Sequence, residues 1–287
     1  MLRNVKTYHK PTTVDEAVML VQSNPHAAYL GGGAWIVAQG DSALEVLVDL
    51  QNVGLGEIAG DIEGVHIGAM ATLQDIIDRD DTGKLADGVL ARAASFTQSR
   101  NLREQGTLGG TLIVAGPADP LTTVLLTLDV DILYADPVMH TAPFASFVAY
   151  RDRLIKTHVL ITGVRVKRPP ARSAAAFEVV GRSPKDKPIV CAAAYLAVDE
   201  GLPAVVRVAV GGAAAQPTRL LKAEHLLQGQ LLTAEKVTAA LEPSLAELHP
   251  SGDFLGSAEY RLEMARVLAR RAVLAAWEQA RGGRVRS

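Results

Sequence analysis

A chain of 287 residues, 48% of them hydrophobic and with a formal net charge of −2, is long enough to bury one large core or two smaller ones. Its near-neutral balance and lack of a Lys/Arg run argue against a general electrostatic grip on nucleic acid. No uninterrupted apolar stretch reaches the roughly 20 residues that cross a bilayer. The N-terminal "MLRNVKTYHKPTTVDEA" has no apolar signal core, which sets the expectation of a cytoplasmic protein.

In chain order, Thr13 to Glu16 has the spacing of a capping box. Val14, Ala17, Val18 and Val21 follow at the intervals that bury one helix face. "AAYL" reads as a short strand, followed by "GGGAW" and then "EVLVDL" (45–50) as a second strand, so the first 55 residues form a small α/β unit. "GVHIGAM" is strand-like, "TLQDIIDRD" a short helix starting near Thr72, and "GKLADGVLARAASF" a helix in spite of Gly88. "GTLGGTLIVAGPADPLTTVLLTLDVDILYAD" combines a second glycine-rich turn, in a strand-like context, with a helix and a strand. "HVLITGVRVKRPP" closes this part, and its prolines mark a boundary near 170. Three strand-like pieces, "FEVVGR", "VCAAAYLAVD" and "AVVRVAVGG", then favour an antiparallel meander. Helices are expected at about 218–228 and 234–247, with a long one across "SAEYRLEMARVLARRAVLAAWEQA". On the long helix, Leu262, Ala265, Leu268 and Ala272 share a face.

Chemistry-bearing side chains are sparse. Cys191, the only cysteine, can by itself make neither a disulfide nor a cluster site, and its apolar setting marks it as a small buried residue. The histidines at 9, 26, 66, 140, 158, 225 and 249 include no close pair at metal-ligand spacing, so no metal site is expected. Attention therefore falls on the glycines. "GGGAW" does not satisfy G-x-G-x-x-G, because the last position is Ile36, and it is not a Walker A loop. "TLGGT" at 107–111 is a second glycine cluster, flanked by two hydroxyls. Two such loops suit the two phosphates of one dinucleotide, with amides and hydroxyls as donors and no lysine required. Two unrelated tight turns fit the same pattern.

The order strand–"GGGAW"–helix, "IGAMATLQDI", "RNLREQGTLGGTLIVAGPADPLTTVLLTLDV", "VVGR" and "EYRLEMARVLARRAV" resembles the FAD-binding medium subunit of molybdenum hydroxylases. That group includes the flavin subunit of aerobic carbon monoxide dehydrogenase and the flavin domain of xanthine dehydrogenase. The resemblance runs over nearly the whole chain. It implies an α+β protein: a two-lobed FAD-binding domain of the vanillyl-alcohol oxidase (PCMH) type over 1–170, with lobes at about 1–55 and 56–170. A C-terminal α+β domain over 171–287 would carry a three-stranded antiparallel sheet and helices.

The same resemblance assigns Gly31, Gly32, Gly33, Ala34, Trp35 and Ile36 to a first FAD-clasping loop, and Thr107, Leu108, Gly109, Gly110 and Thr111 to a second. Leu160 falls near a position that packs on the flavin ring, and Asp119 near a downstream acidic position. It implies no catalytic acid or base. Electrons would come from a molybdenum-cofactor large subunit through an iron–sulfur small subunit, in a dimer of heterotrimers, and leave to NAD, a quinone or oxygen. The chain departs from the family pattern at Ala34 and Trp35, where a small polar residue is usual. It departs again at Thr111 in place of Asn, at Asp119–Pro120 where the acid is shifted by one, and at Val179 in place of Lys. These departures set a second reading beside the first: a family member that keeps the fold and a structural role without FAD. A self-sufficient NAD-dependent dehydrogenase is disfavoured by the failed fingerprint, and a non-catalytic nucleotide-binding module by the C-terminal resemblance.

Overall fold

The computed structural model describes residues 4–96, 99–183 and 186–282. They fall into two compact units that interleave along the chain. The first comprises the chain up to Asp81 together with Ser99–Val114 and Val130–Lys167. The second comprises the stretch from Thr82, Ala115–Asp129 and the chain from Arg168.

The first unit has two lobes. In one, a parallel sheet is formed by β1 (Thr7–His9), β2 (Ala27–Leu30) and β3 (Val46–Asp49) in the order β1-β3-β2. The helix Val14–Gln22 packs on this sheet and begins where the sequence places it: the Thr13 side chain accepts from the Glu16 amide. Glu16 reaches back to the Thr12 amide (3.0 Å) rather than to that of Thr13. Ala17, Val18 and Val21 bury the helix face against Val46 and Val48. In the other lobe, β4 (Ile58–Gly60), β5 (Gly64–Gly68), β6 (Val130–Asp136), β7 (Val138–Pro143) and β8 (Leu160–Lys167) form an antiparallel sheet in the order β4-β5-β8-β6-β7. The helix Leu73–Asp78 has a complete capping box, with Thr72 and Asp75 bonding each other's amides. The lobes share a core, since Ala135 of β6 and Leu160 of β8 join the cluster around Val18 and Val48.

The second unit is built on an antiparallel sheet of β9 (Ser173–Val180), β10 (Val190–Asp199), β11 (Leu202–Gly211) and β12 (Thr218–Arg219), in the order β12-β11-β10-β9. The expected three strands are thus present, and a two-residue fourth extends the sheet. The long helix Ala258–Arg281 lies on β9 and β10 and buries Ala265, Leu268 and Ala272 against Leu196 and Val208. The helix expected across "GKLADGVLARAASF" is broken. Ala86 and Asp87 take left-handed φ values of 48° and 62°, and regular helix runs only over Val89–Ser95. In that turned conformation the Asp87 carboxylate accepts from the Ala175 amide of β9 (3.1 Å), a long-range bond that local propensity does not reveal. Among the described residues no helix is long and apolar enough to cross a membrane.

Candidate functional site

The first glycine loop begins where β2 ends and leads into the short helix Ile36–Gln39. Gly33 turns the chain with φ 76°, in the region that suits glycine. Its carbonyl accepts from Val37 N (3.1 Å) and that of Trp35 from Gln39 N (2.9 Å). The amides of Gly32, Gly33, Ala34, Trp35 and Ile36 donate to no acceptor among the described residues. A run of consecutive N–H groups with no protein acceptor at a loop-to-helix junction is a set of donors suited to an anion.

The second loop differs from what the sequence suggests. It is not a turn in a strand-like context but the first turn of the helix Leu108–Val114. Thr107 pairs with Thr72 in an isolated bridge, its side chain accepts from Gly110 N (3.2 Å), and its carbonyl accepts from Thr111 N (2.9 Å) and Thr111 Oγ1 (2.9 Å). Leu108 N donates to Ala71 O (2.9 Å) and Gly109 N to Ala69 O (2.8 Å). Capping by Thr107 and these links to the 69–72 stretch outweigh the strand preference of the β-branched "TLIV" run. The amides of Leu108, Gly109, Gly110 and Thr111 are consequently engaged within the protein. What this loop presents outward is its exposed surface at Gly110.

The two loops meet. A Cβ built on Gly31 would lie 3.0 Å from Thr107 Oγ1 and 3.7 Å from Met70 Sδ. One built on Gly32 would lie 1.5 Å from the Gln105 carbonyl oxygen, whereas Gly110 has only Thr107 Oγ1 nearby, at 3.0 Å, and otherwise open space. Residues about seventy positions apart in sequence are thus brought side by side, with the acceptor-less amides of one loop next to the helix start of the other. No residue from Gly31 to Ile36 or from Thr107 to Thr111 has an ionisable side chain. Tyr29, just before the first loop, stays neutral: burial raises its phenol well above the usual value, and its hydroxyl donates to His158 O (3.0 Å). This is a neutral polar cradle suited to holding a phosphate-bearing ligand rather than to acid–base chemistry.

The remaining assigned residues are placed as follows. Trp35 is 51% exposed, and Ala34 and Ile36 are half-buried. Leu160 is only 3% exposed and packs in the core shared by the two lobes. Asp119 belongs to the second unit, where its carboxylate caps the helix Pro120–Leu125 through Thr122 N (2.7 Å). Cys191 is fully buried on β10 beside Thr123, and burial pushes its thiol up to about 12. Among the described residues no group of His, Cys, Asp or Glu could hold a metal ion. Sequence reasoning missed Gln105, whose backbone fixes Gly32, and the 69–72 stretch, which holds the second loop. These are main-chain partners, and no side-chain pattern announces them.

Residues 3–169 match the family of the FAD binding domain in molybdopterin dehydrogenase, and residues 175–276 match the CO dehydrogenase flavoprotein C-terminal domain. The carbon monoxide dehydrogenase medium chain of Afipia carboxidovorans is 28% identical over 279 residues, spanning 93% of this chain and 94% of that one. The 6-hydroxypseudooxynicotine dehydrogenase complex subunit alpha of Paenarthrobacter nicotinovorans is 29% identical over 295 residues, spanning 95% and 97%. Among solved structures, a carbon monoxide dehydrogenase from Hydrogenophaga pseudoflava that lacks the Mo-pyranopterin moiety of the molybdenum cofactor is 26% identical. It matches with a TM-score of 0.89 over 97% of this chain and 99% of that one.

Proposed function

This chain belongs to the FAD-binding medium subunits of the molybdenum hydroxylases, and from that premise we propose that its two glycine loops clasp the pyrophosphate of one FAD. The chain is a flavoprotein component of an oxidoreductase complex, with FAD as its cofactor. When bound, FAD supplies the reversible electron uptake that connects iron–sulfur clusters to an external acceptor. The protein's own part is to bind and orient. In our reading, the amides of Gly32, Gly33, Ala34, Trp35 and Ile36 donate to phosphate oxygens, and Gly110 and the Thr107 turn line the other side. Leu160 and Asp119 are proposed as further cofactor residues on the family pattern alone.

A medium subunit works with partners. We propose an iron–sulfur small chain and a molybdenum-cofactor large chain, assembled as a dimer of heterotrimers. The single cysteine of the chain, too few to ligate an iron–sulfur cluster, supports this division of labour. Co-purification of native material, with subunit masses and metal content, tests the assembly.

The observation that carries the cofactor assignment is the run of acceptor-less amides set against the Thr107 turn. A grip on pyrophosphate makes binding depend on the phosphates. FAD is expected to bind tightest, FMN more weakly and riboflavin weakest, with ADP displacing FAD, when ligand binding to the apoprotein is measured by calorimetry. Equal affinities for all three flavins would contradict the loop assignment, and a chain that takes up no flavin would leave only the structural role.

A further inference from the structure

We propose that Tyr29 is a positioning residue for the cofactor grip: its hydroxyl latches the stem of the first glycine loop to the lobe that carries the second. The inference rests on the reading of the two loops as the FAD site. A grip shared between two loops needs them held in a fixed relation, because small misplacements of positioned donors are costly. The first loop follows β2 in one lobe, whereas the helix begun by the second loop packs on β5 and β8 of the other. Gly31 and Gly32 lie against Thr107 and the Gln105 carbonyl, but these are contacts of packing alone. Among the described residues, no hydrogen bond runs from Gly31–Ile36 to the other lobe.

The crossing bond next to the loop is made by Tyr29, just before Leu30 and Gly31. Its hydroxyl donates to His158 O (3.0 Å), in the lobe of the second loop, and its ring packs on the core around Val48, Ala135 and Leu160 that the lobes share. Burial holds the phenol neutral, so the donor persists across the physiological pH range. A second bond, from Gln22 Nε2 to Asp136 Oδ1 (2.8 Å), spans the same lobes at an exposed position, where water competes for both partners. On the acceptor side, His158 follows the helix Phe144–Lys156 in a left-handed turn, φ 56°, at the kind of position where glycine is the usual residue. Its amide is tied back to Ile155 O (3.0 Å), so the carbonyl that Tyr29 reaches belongs to a fixed turn rather than to a loose loop.

Tyr29→Phe keeps the ring and removes the donor. Its apo melting temperature is expected to fall, and FAD to bind about tenfold more weakly at a temperature where parent and variant are both folded. ADP, which shares the pyrophosphate, should weaken by a similar factor. His158→Gly separates positioning from stability, because it relieves the left-handed turn and keeps the carbonyl. It is expected to raise the melting temperature and leave FAD affinity at the parent's level. Combined with Tyr29→Phe, it is expected to restore the melting temperature but not the affinity, and the double variant carries the test if Tyr29→Phe alone does not fold. Calorimetric titration and thermal melts of the same apoprotein samples give both readouts without any turnover assay. A double variant whose affinity returns along with its stability would overturn the proposal, since Tyr29 would then act on stability alone. Tyr29→Phe binding FAD as the parent does overturns this proposal and leaves the site reading standing. A loss for FAD with none for ADP would place the effect away from the phosphates and also overturn it. A parent chain that takes up no FAD overturns the site reading with it.

Discussion

A methyl group added at Gly32 would lie 1.5 Å from the carbonyl oxygen of Gln105, whereas one added at Gly110 would meet only Thr107 Oγ1, at 3.0 Å. The two glycines that look equivalent in the sequence therefore lack side chains for different reasons. Gly32 is small because the protein's own backbone passes against it. Gly32→Ala must displace Gln105 and is expected to cost about 3 kcal/mol or more, at the upper end of overpacking effects, so its melting temperature should fall even without cofactor. Gly110 stands in the first turn of a helix with open space around it. Gly110→Ala is expected to leave apo stability within about 1 kcal/mol of the parent, helix propensity offsetting the close contact with Thr107. Its FAD affinity is expected to fall about tenfold, or ~1.4 kcal/mol. Paired melts and titrations check both. A stable Gly32→Ala, or a Gly110→Ala that binds FAD normally, would contradict these assignments.

At the scale of elements, the second unit is tied together by Arg261 on its longest helix. Arg261 is 7% exposed. Its Nη1 donates to Ile189 O (2.8 Å) and Gly212 O (3.3 Å), and its Nη2 to the Asp253 carboxylate (2.7 Å). That contact holds the Asp253 carboxyl below the usual range. The guanidinium thus joins the loop before the helix to the strand ends at Ile189 and Gly212. Arg261→Ala leaves both carbonyls buried and unpaired, at about 1–3 kcal/mol each, and a large drop in melting temperature is expected. A melting temperature equal to the parent's would show that water replaces the guanidinium.

Elements of this kind were legible in part. The helices at Val14–Gln22 and Leu73–Asp78 were readable because threonine caps and apolar spacing are local signals. The helix Leu108–Val114 was not, because Thr107 and the main chain of residues 69–71 decide it against the local preference of "TLIV". The strand β7 and the helix Phe144–Lys156 carry no such local signal. β7 is exposed along nearly its whole length, so it lacks the alternation that marks a half-buried strand.

At the scale of the whole molecule, the family pattern spans both units, while the compact units themselves are discontinuous in sequence. Ala115–Asp129 packs with the chain from Arg168 although it follows the second glycine loop directly. A boundary read from composition follows the prolines near 170 and cannot register that return. Glycines and hydroxyls alone fit a pair of loops and two unrelated turns equally, and they give no sign of the contrast between the loops: one has amides without a protein acceptor, the other has its amides engaged. Amide hydrogen exchange of the apoprotein against the FAD-bound protein reads this contrast residue by residue. Exchange at Gly32–Ile36 is predicted to slow sharply on FAD binding, because those amides gain acceptors. The amides of Leu108–Thr111, already bonded within the protein, should change far less. FAD bound in full with exchange at Gly32–Ile36 unaltered would show that these amides do not hold the cofactor.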